Sequence, residues 1–273
     1  MPMIRIAALI ASILLLGNAQ GAERSITLSS TTSTRDSGLF DYILPIFRAA
    51  SGLNVHVVAV GTGQALAIGA RGDADALLVH DRVGEEKFIA DGYGLDRRDV
   101  MYNDFIIVGP DNDPARIRGL KDARKALGQI AAAGAPFASR GDDSGTNRLE
   151  LRLWRSAGIK PDAHSGWSRD LGQGMGPTLN IAAAMSAYTL ADRATWANFK
   201  NRQHLEILAQ GDPALFNPYS SILVNPARWP RVKFGEARTW HEWLTSKAGL
   251  EAITSYRIGG AQVFFPPRSE ATH

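Results

Sequence analysis

Three stretches of this 273-residue chain gather hydroxyls, glycines and an arginine in a way that suits an anion. They are Ser29-Ser30-Thr31-Thr32-Ser33-Thr34, Gly61-Thr62-Gly63, and Ser139-Arg140-Gly141-Asp142-Asp143-Ser144-Gly145-Thr146. Each follows a short apolar run and precedes a segment of helical periodicity, so each is expected to open a helix. A helix N-terminus presents unpaired N–H groups and the positive end of the backbone dipole, and glycine lets an anion approach them closely. One such loop alone is an ordinary helix cap, since Ser, Thr and Asp are the preferred capping residues. The unbroken run of hydroxyls from Ser29 to Ser33 exceeds what one cap needs, and the three loops together predict a donor-lined cup. Arg140 is the one guanidinium within them, with Arg35 just beyond the first. Its planar fork can direct two parallel charge-assisted bonds at one oxyanion, and Asp142 or Asp143 beside it could orient the fork.

The elements that must hold these loops are legible as alternating patterns. Ser25–Leu28, Val55–Val60, Ala76–Val79 and Phe105–Val108 read as strands, and Pro136–Ser139 as a further one. After the first strand, Leu39, Phe40, Ile43, Leu44 and Phe47 fall on one helical face, with Asp36 or Ser37 as the expected cap, Ser51-Gly52 as the stop, and a kink expected at Pro45. A later helix is expected to carry the stripe Leu149, Leu151, Leu153 and Trp154. Strand, loop, helix order argues for an α/β fold with mainly parallel sheets, whose ligands bind outside the carboxyl ends of the strands.

At these loops the chain resembles the tungstate-binding proteins of tungstate ABC importers. The resemblance runs through Ser30-Thr31-Thr32-Ser33-Thr34-Arg35-Asp36-Ser37-Gly38-Leu39, Val58 to Leu66, Gly72 to His80, Met101 to Phe105, Ser139 to Thr146, Gly172 to Asn180, Tyr188 to Arg193 and Gly211 to Tyr219. That family usually opens its first loop with Thr-Thr-Thr-Ser, where this chain has Ser30 followed by Thr31, Thr32 and Ser33. The resemblance implies a two-lobed periplasmic-binding fold with the ligand in the cleft between lobes. It puts Thr31, Arg140 and Thr146 at positions matching the family's oxyanion ligands, and Thr62, Thr178 and Tyr188 where related molybdate-binding proteins place theirs. Around an anion held by Arg140, the expected neutral donors are Ser30, Thr31, Thr62, Ser144, Gly145, Thr146 and Thr178. The implied ligand is tungstate or molybdate, with no cofactor, no protein-ligated metal, no nucleic acid and no reaction; the implied partner is the membrane permease of an ABC importer, with the binding protein a monomer.

Other readings attach to the same residues. Arg140, Asp142, Ser144 and Thr146 also resemble the Arg-x-Asp-x-Ser-Gly-Thr loop of phosphate-binding proteins, in which the aspartate accepts the ligand's proton. Gly141-Asp142-Asp143-Ser144-Gly145 lies one residue away from the nucleophile turn of a serine protease, and a base for Ser144 would have to come from His56, His80, His164, His204 or His241. Gly61-Thr62-Gly63 and Gly172-Gln173-Gly174-Met175-Gly176 each lack the spacing of a dinucleotide loop. His80-Asp81 and the Asp73/Asp75 pair lack further ligands at metal-site spacing.

Composition frames the rest. There is no cysteine, which excludes a lipid-modified cysteine, a disulfide framework and thiolate metal sites. Arg5 precedes the uncharged run Ile6–Leu16, and small residues follow at Gly17, Ala19 and Gly21, the pattern of a signal peptide over 1–21 for an exported, periplasmic protein. Losing Arg5 with it would take the net charge from +3 to +2, and the remaining charges are interspersed, with no basic run for a polyanion. The expected division is 22–105 plus 215–268 as one lobe, 106–214 as the other, and 269–273 as a tail.

Overall fold

The computed structural model describes residues 24–161 and 166–268, so the expected signal peptide, the tail and His164 lie outside the described residues. In chain order the elements are β1 (Ser25–Thr31), α1 (Thr32–Asp36), α2 (Leu39–Ser51), β2 (Asn54–Val60), α3 (Thr62–Ala70), β3 (Ala76–Val79), α4 (Arg82–Ala90), β4 (Gly94–Pro110), α5 (Ala123–Ala132), β5 (Phe137–Ser139), α6 (Gly145–Ser156), β6 (Ser168–Asp170), α7 (Met175–Met185), β7 (Thr189–Asp192), α8 (Arg193–Asn198), β8 (Leu205–Ala209), β9 (Phe216–Val224), α9 (Phe234–Thr245), α10 (Lys247–Ser255), β10 (Arg257–Ile258) and β11 (Ala261–Gln262).

The main sheet runs β2-β1-β3-β9-β4-β7, with β8 also on β4. Parallel pairing holds at β1–β2, β1–β3 and β5–β6, where helices connect the strands. By contrast, β4 and β9 pair antiparallel with each other and with β3, β7 and β8, so the sheet is mixed where the alternation of elements predicts mainly parallel pairing. The cause is the chain's route: β4 leaves one lobe and β9 returns to it, in opposite directions along one ladder. Apolar residues accordingly gather on two sides of the crossing. Leu28, Leu39, Ile43, Phe47 and Trp240 pack in one lobe, while Phe137, Trp154, Leu190 and Leu208 pack in the other.

Local chemistry explains the ends of α2. Its buried stripe is Leu39, Phe40, Ile43 and Phe47, it continues through Pro45, and it stops at Gly52 in the left-handed region. The expected caps Asp36 and Ser37 belong instead to α1, with Asp36 its last residue and Ser37 its C-cap. Gly38 takes the turn between the helices at φ 80°, where a Cβ would also stand 2.6 Å from the Tyr256 hydroxyl. In α6 the buried face is Leu149, Leu153 and Trp154, whereas Leu151 is 46% exposed. Residues two positions apart on a helix point about 200° apart, so Leu149 and Leu151 cannot share a face.

Candidate functional site

Arg140 leaves β5 at the start of the loop before α6, and only 1% of it is exposed. Its Nη2 donates to Thr32 Oγ1 at 2.9 Å, its Nη1 to Thr146 Oγ1 at 3.3 Å and its Nε to the Gln173 carbonyl at 3.3 Å. The guanidinium therefore joins the loop after β1 to the loops before α6 and α7. Asp142 holds it in place, with Oδ2 accepting from Nη2 while Oδ1 accepts the Ser144 N–H at 3.2 Å. Both carboxylate oxygens are thus engaged within the loop.

The helix starts converge on the same point. Thr31 caps α1, its Oγ1 accepting the Thr34 N–H. Thr62 opens α3, and its Oγ1 accepts the Gly145 N–H of α6 at 2.7 Å. That approach needs Gly61, because a Cβ there would stand 2.6 Å from the Asp142 carbonyl. Ser144 caps α6 through the Asn147 N–H at 3.1 Å. Thr178, in the first turn of α7, donates to the Gln173 carbonyl at 3.4 Å, and a Cβ on Gly174 would lie 3.5 Å from Thr32 Oγ1. The contacts thus bring together Thr31, Thr62, Arg140, Ser144, Gly145, Thr146 and Thr178.

Two expected residues are elsewhere. Ser30 Oγ donates to the Leu78 carbonyl at 2.6 Å, fastening β1 to β3. Tyr188 donates to Asp113 Oδ1 at 2.7 Å and accepts the Ala115 N–H at 2.9 Å, within the core that holds Phe137 and Trp154. A long side chain at the head of a strand reaches away from the loops at the strand's far end, which removes Tyr188 from the cup.

Two residues that sequence reasoning left out belong to it. Thr32 is the hydroxyl that meets Arg140, and its neighbours in the run hid it. His80, directly after β3, sets Nε2 3.0 Å from Ser33 Oγ and 3.2 Å from Thr31 Oγ1. Burial pulls its pKa down to about 4, partly offset by a hydrogen bond with Asn217. Nothing local signals this; the register of β1 against β3 brings the two loops together.

Beside the cup, Asp81 is 2% exposed and accepts from Arg148 Nη1 at 2.9 Å and Arg152 Nη1 at 3.0 Å. Those arginines lie on α6, so this network and the Gly63 N–H to Asp143 carbonyl bond of 3.1 Å tie one lobe to the other. Ser144 has spent its oxygen on a cap, His204 and His241 bond Ser186 and Ser221, and His80 faces Ser33 and Thr31 rather than Ser144. Asp75 receives the Thr27 and Lys233 N–H groups, both at 2.7 Å. Among the described residues no cluster of three or more His, Asp or Glu is arranged to hold a metal, and no helix is long and apolar enough to cross a membrane. What the arrangement offers is a buried guanidinium, oriented by Asp142, with hydroxyls and helix starts around it, which suits an anion.

Residues 17–248 match the PBP superfamily domain. Over 249 residues the chain is 46% identical to the tungstate-binding protein TupA of Peptoclostridium acidaminophilum, spanning 90% of this chain and 86% of that protein. Among solved structures it is similar to the tungstate ABC transporter from Geobacter sulfurreducens, at 50% identity and a TM-score of 0.78 over 86% of this chain and 100% of that one. The tungstate-binding protein TupA from Desulfovibrio alaskensis is 40% identical with a TM-score of 0.75, over 90% and 100%.

Proposed function

The chain belongs to the PBP superfamily and, within it, to the tungstate-binding proteins, and from that membership we infer that it captures tungstate and delivers it to an ABC importer. One observation carries the site: Arg140, almost wholly buried, is hydrogen-bonded to hydroxyls on loops from both lobes. Tungstate and molybdate are fully deprotonated near neutral pH and call for donors only, whereas phosphate retains a proton and calls for an acceptor. Asp142 is bonded to both Arg140 and the Ser144 N–H, which supports its role in orienting the guanidinium.

The anion is held by Arg140 with the hydroxyls of Thr31, Thr32, Thr62 and Thr146 around it, the Gly145 N–H and the Thr178 hydroxyl being given to Thr62 and the Gln173 carbonyl, and no chemical step follows. We assign 22–105 plus 215–268 to one lobe and 106–214 to the other, with closure across the cleft excluding water and strengthening every donor contact. The protein works as an exported periplasmic monomer whose closed form docks on the membrane permease.

Calorimetric titration of the intact protein with tungstate, molybdate, sulfate, phosphate and chromate tests the reading. Tungstate should bind most tightly, with molybdate close behind because the two share charge and shape. Tightest binding of phosphate would overturn it.

A further inference from the structure

Counting protons around His80 assigns it a role that its burial alone does not require. Asn217 Nδ2 donates to Asn103 Oδ1 at 2.6 Å and to the Tyr219 hydroxyl at 3.1 Å, which leaves Asn217 Oδ1 as the atom 3.0 Å from His80 Nδ1. A carbonyl oxygen only accepts, so Nδ1 carries the imidazole proton and Nε2 keeps a lone pair. The ring is stacked on Tyr219 with centroids 4.7 Å apart, and its low pKa keeps it neutral at pH 7. That lone pair faces the first hydroxyl loop, where Ser33 and Thr31 both lie within reach of it.

Each hydroxyl in the loop has one proton to give. Thr31 Oγ1 already accepts the Thr34 N–H at 3.2 Å and stands 2.8 Å from Thr34 Oγ1 and 3.2 Å from Ser33 Oγ. If Ser33 gives its proton to Nε2 and Thr34 gives its own to Thr31, the Thr31 proton is left over and can point at an anion. Without an acceptor behind the loop, Ser33 turns its proton into the cluster and the order is lost.

We propose that His80 is a positioning residue of the oxyanion site, its Nε2 holding the Ser33 hydroxyl proton so that Thr31 donates to the bound anion. This rests on the reading that the loop after β1 faces tungstate. A carboxylate in this place would repel the anion, and a cation would donate rather than accept; a buried neutral imidazole with its tautomer fixed from behind does neither.

The test combines tungstate calorimetry on His80→Phe, Ser33→Ala and the double variant with nitrogen NMR of histidine-labelled parent protein. His80→Phe keeps a ring to stack on Tyr219 and loses both nitrogens; its affinity should fall about 2- to 12-fold, the worth of one neutral hydrogen bond. His80→Gln, which keeps an acceptor, should recover part of that loss. The double variant should lose no more than the weaker-binding single one, because both changes break the same link. In the parent, the His80 Nε2 resonance should be that of an unprotonated acceptor and should move when tungstate is added. Parent-like binding by His80→Phe, additive losses in the double variant, or a protonated Nε2 would each overturn the proposal while leaving the tungstate reading intact. A parent that takes up no tungstate would overturn both, and the NMR needs no variant to fold.

Discussion

Arg140 Nη2 lies 2.9 Å from Thr32 Oγ1, so the only guanidinium within the three hydroxyl loops is bonded to a residue 108 positions away on the opposite lobe. A contact of this kind exists only when the lobes meet, and it would tie the charge proposed to hold the anion to closure itself. Truncating one partner of a buried, hydrogen-bonded charge pair typically costs about 2 to 5 kcal/mol, so Arg140→Ala should weaken tungstate binding roughly 30-fold to a few thousand-fold. Arg140→Lys keeps the charge without the planar fork and should restore only part of the loss. Thr32→Ala removes one neutral acceptor and should cost about 2- to 12-fold. Calorimetry on folded variants decides it, and parent-like affinity in Arg140→Ala would leave Arg140 as no more than a partner of Asp142.

Asp81 predicts a separate effect on closure. It is buried between Arg148 and Arg152, yet as N-cap of α4 it makes no side-chain cap bond, so Asp81→Asn removes an inter-lobe ion pair without uncapping a helix. Both arginines retain solvent contact, which lowers the cost to roughly 1 to 2 kcal/mol of closed-state stability. We expect faster tungstate release in stopped-flow experiments and a larger radius of gyration in solution scattering with tungstate present. An unchanged release rate would show that the network is incidental to closure.

Glu150 predicts a pH effect on stability. It is buried in α6, receives the Trp154 Nε1–H at 3.3 Å, and burial pushes its pKa up to about 8. A carboxyl with a raised pKa holds its proton more tightly in the fold than in the unfolded chain, so its contribution is complete below about pH 4.5 and is lost as pH rises through about 8. Glu85, pushed up to about 7 by burial, has the same sign and keeps part of the slope in any Glu150 variant. Relative to the parent, Glu150→Gln should therefore gain in Tm between pH 5 and pH 9. A constant Tm difference across that range would contradict it.

Tyr188→Phe should separate stability from binding. Its hydroxyl serves Asp113 and the buried Ala115 N–H, and loss of that partner should cost about 1 to 3 kcal/mol in stability. Tungstate affinity should stay within twofold of the parent. A tenfold loss of affinity with little change in Tm would bring Tyr188 back to the ligand.

The legible parts of the molecule were those governed by local chemistry. Hydroxyls and glycines after strands marked the loops, and the capping preference of such residues agrees with Thr31 and Ser144 as the N-caps of α1 and α6. Within the hydroxyl run, however, the choice between Ser30 and Thr32 depends on where β1 ends: Ser30 is still in the ladder and bonds Leu78, while Thr32 has entered α1. His80 and Asp81 owe their places to contacts across 47 to 71 residues, for which no spacing rule exists. The sheet's mixed sense was hidden for the same reason, since the direction of β9 depends on the whole excursion through the second lobe.

The strand β4 has a mechanical consequence. It runs 17 residues without a break from one core into the other, and at the crossing it is laddered to β9 through Asn103 with Asn217 and Asp104 with Phe216. Any motion between the lobes would then be carried as torsion of a paired ribbon, the form of sheet that tolerates the widest range of twist. A torsion bar resists with a torque proportional to its turn and stores energy as the square of it, so the ladder's hydrogen bonds would bound the stroke, and an anion that draws the two lobes together would have to work against that spring.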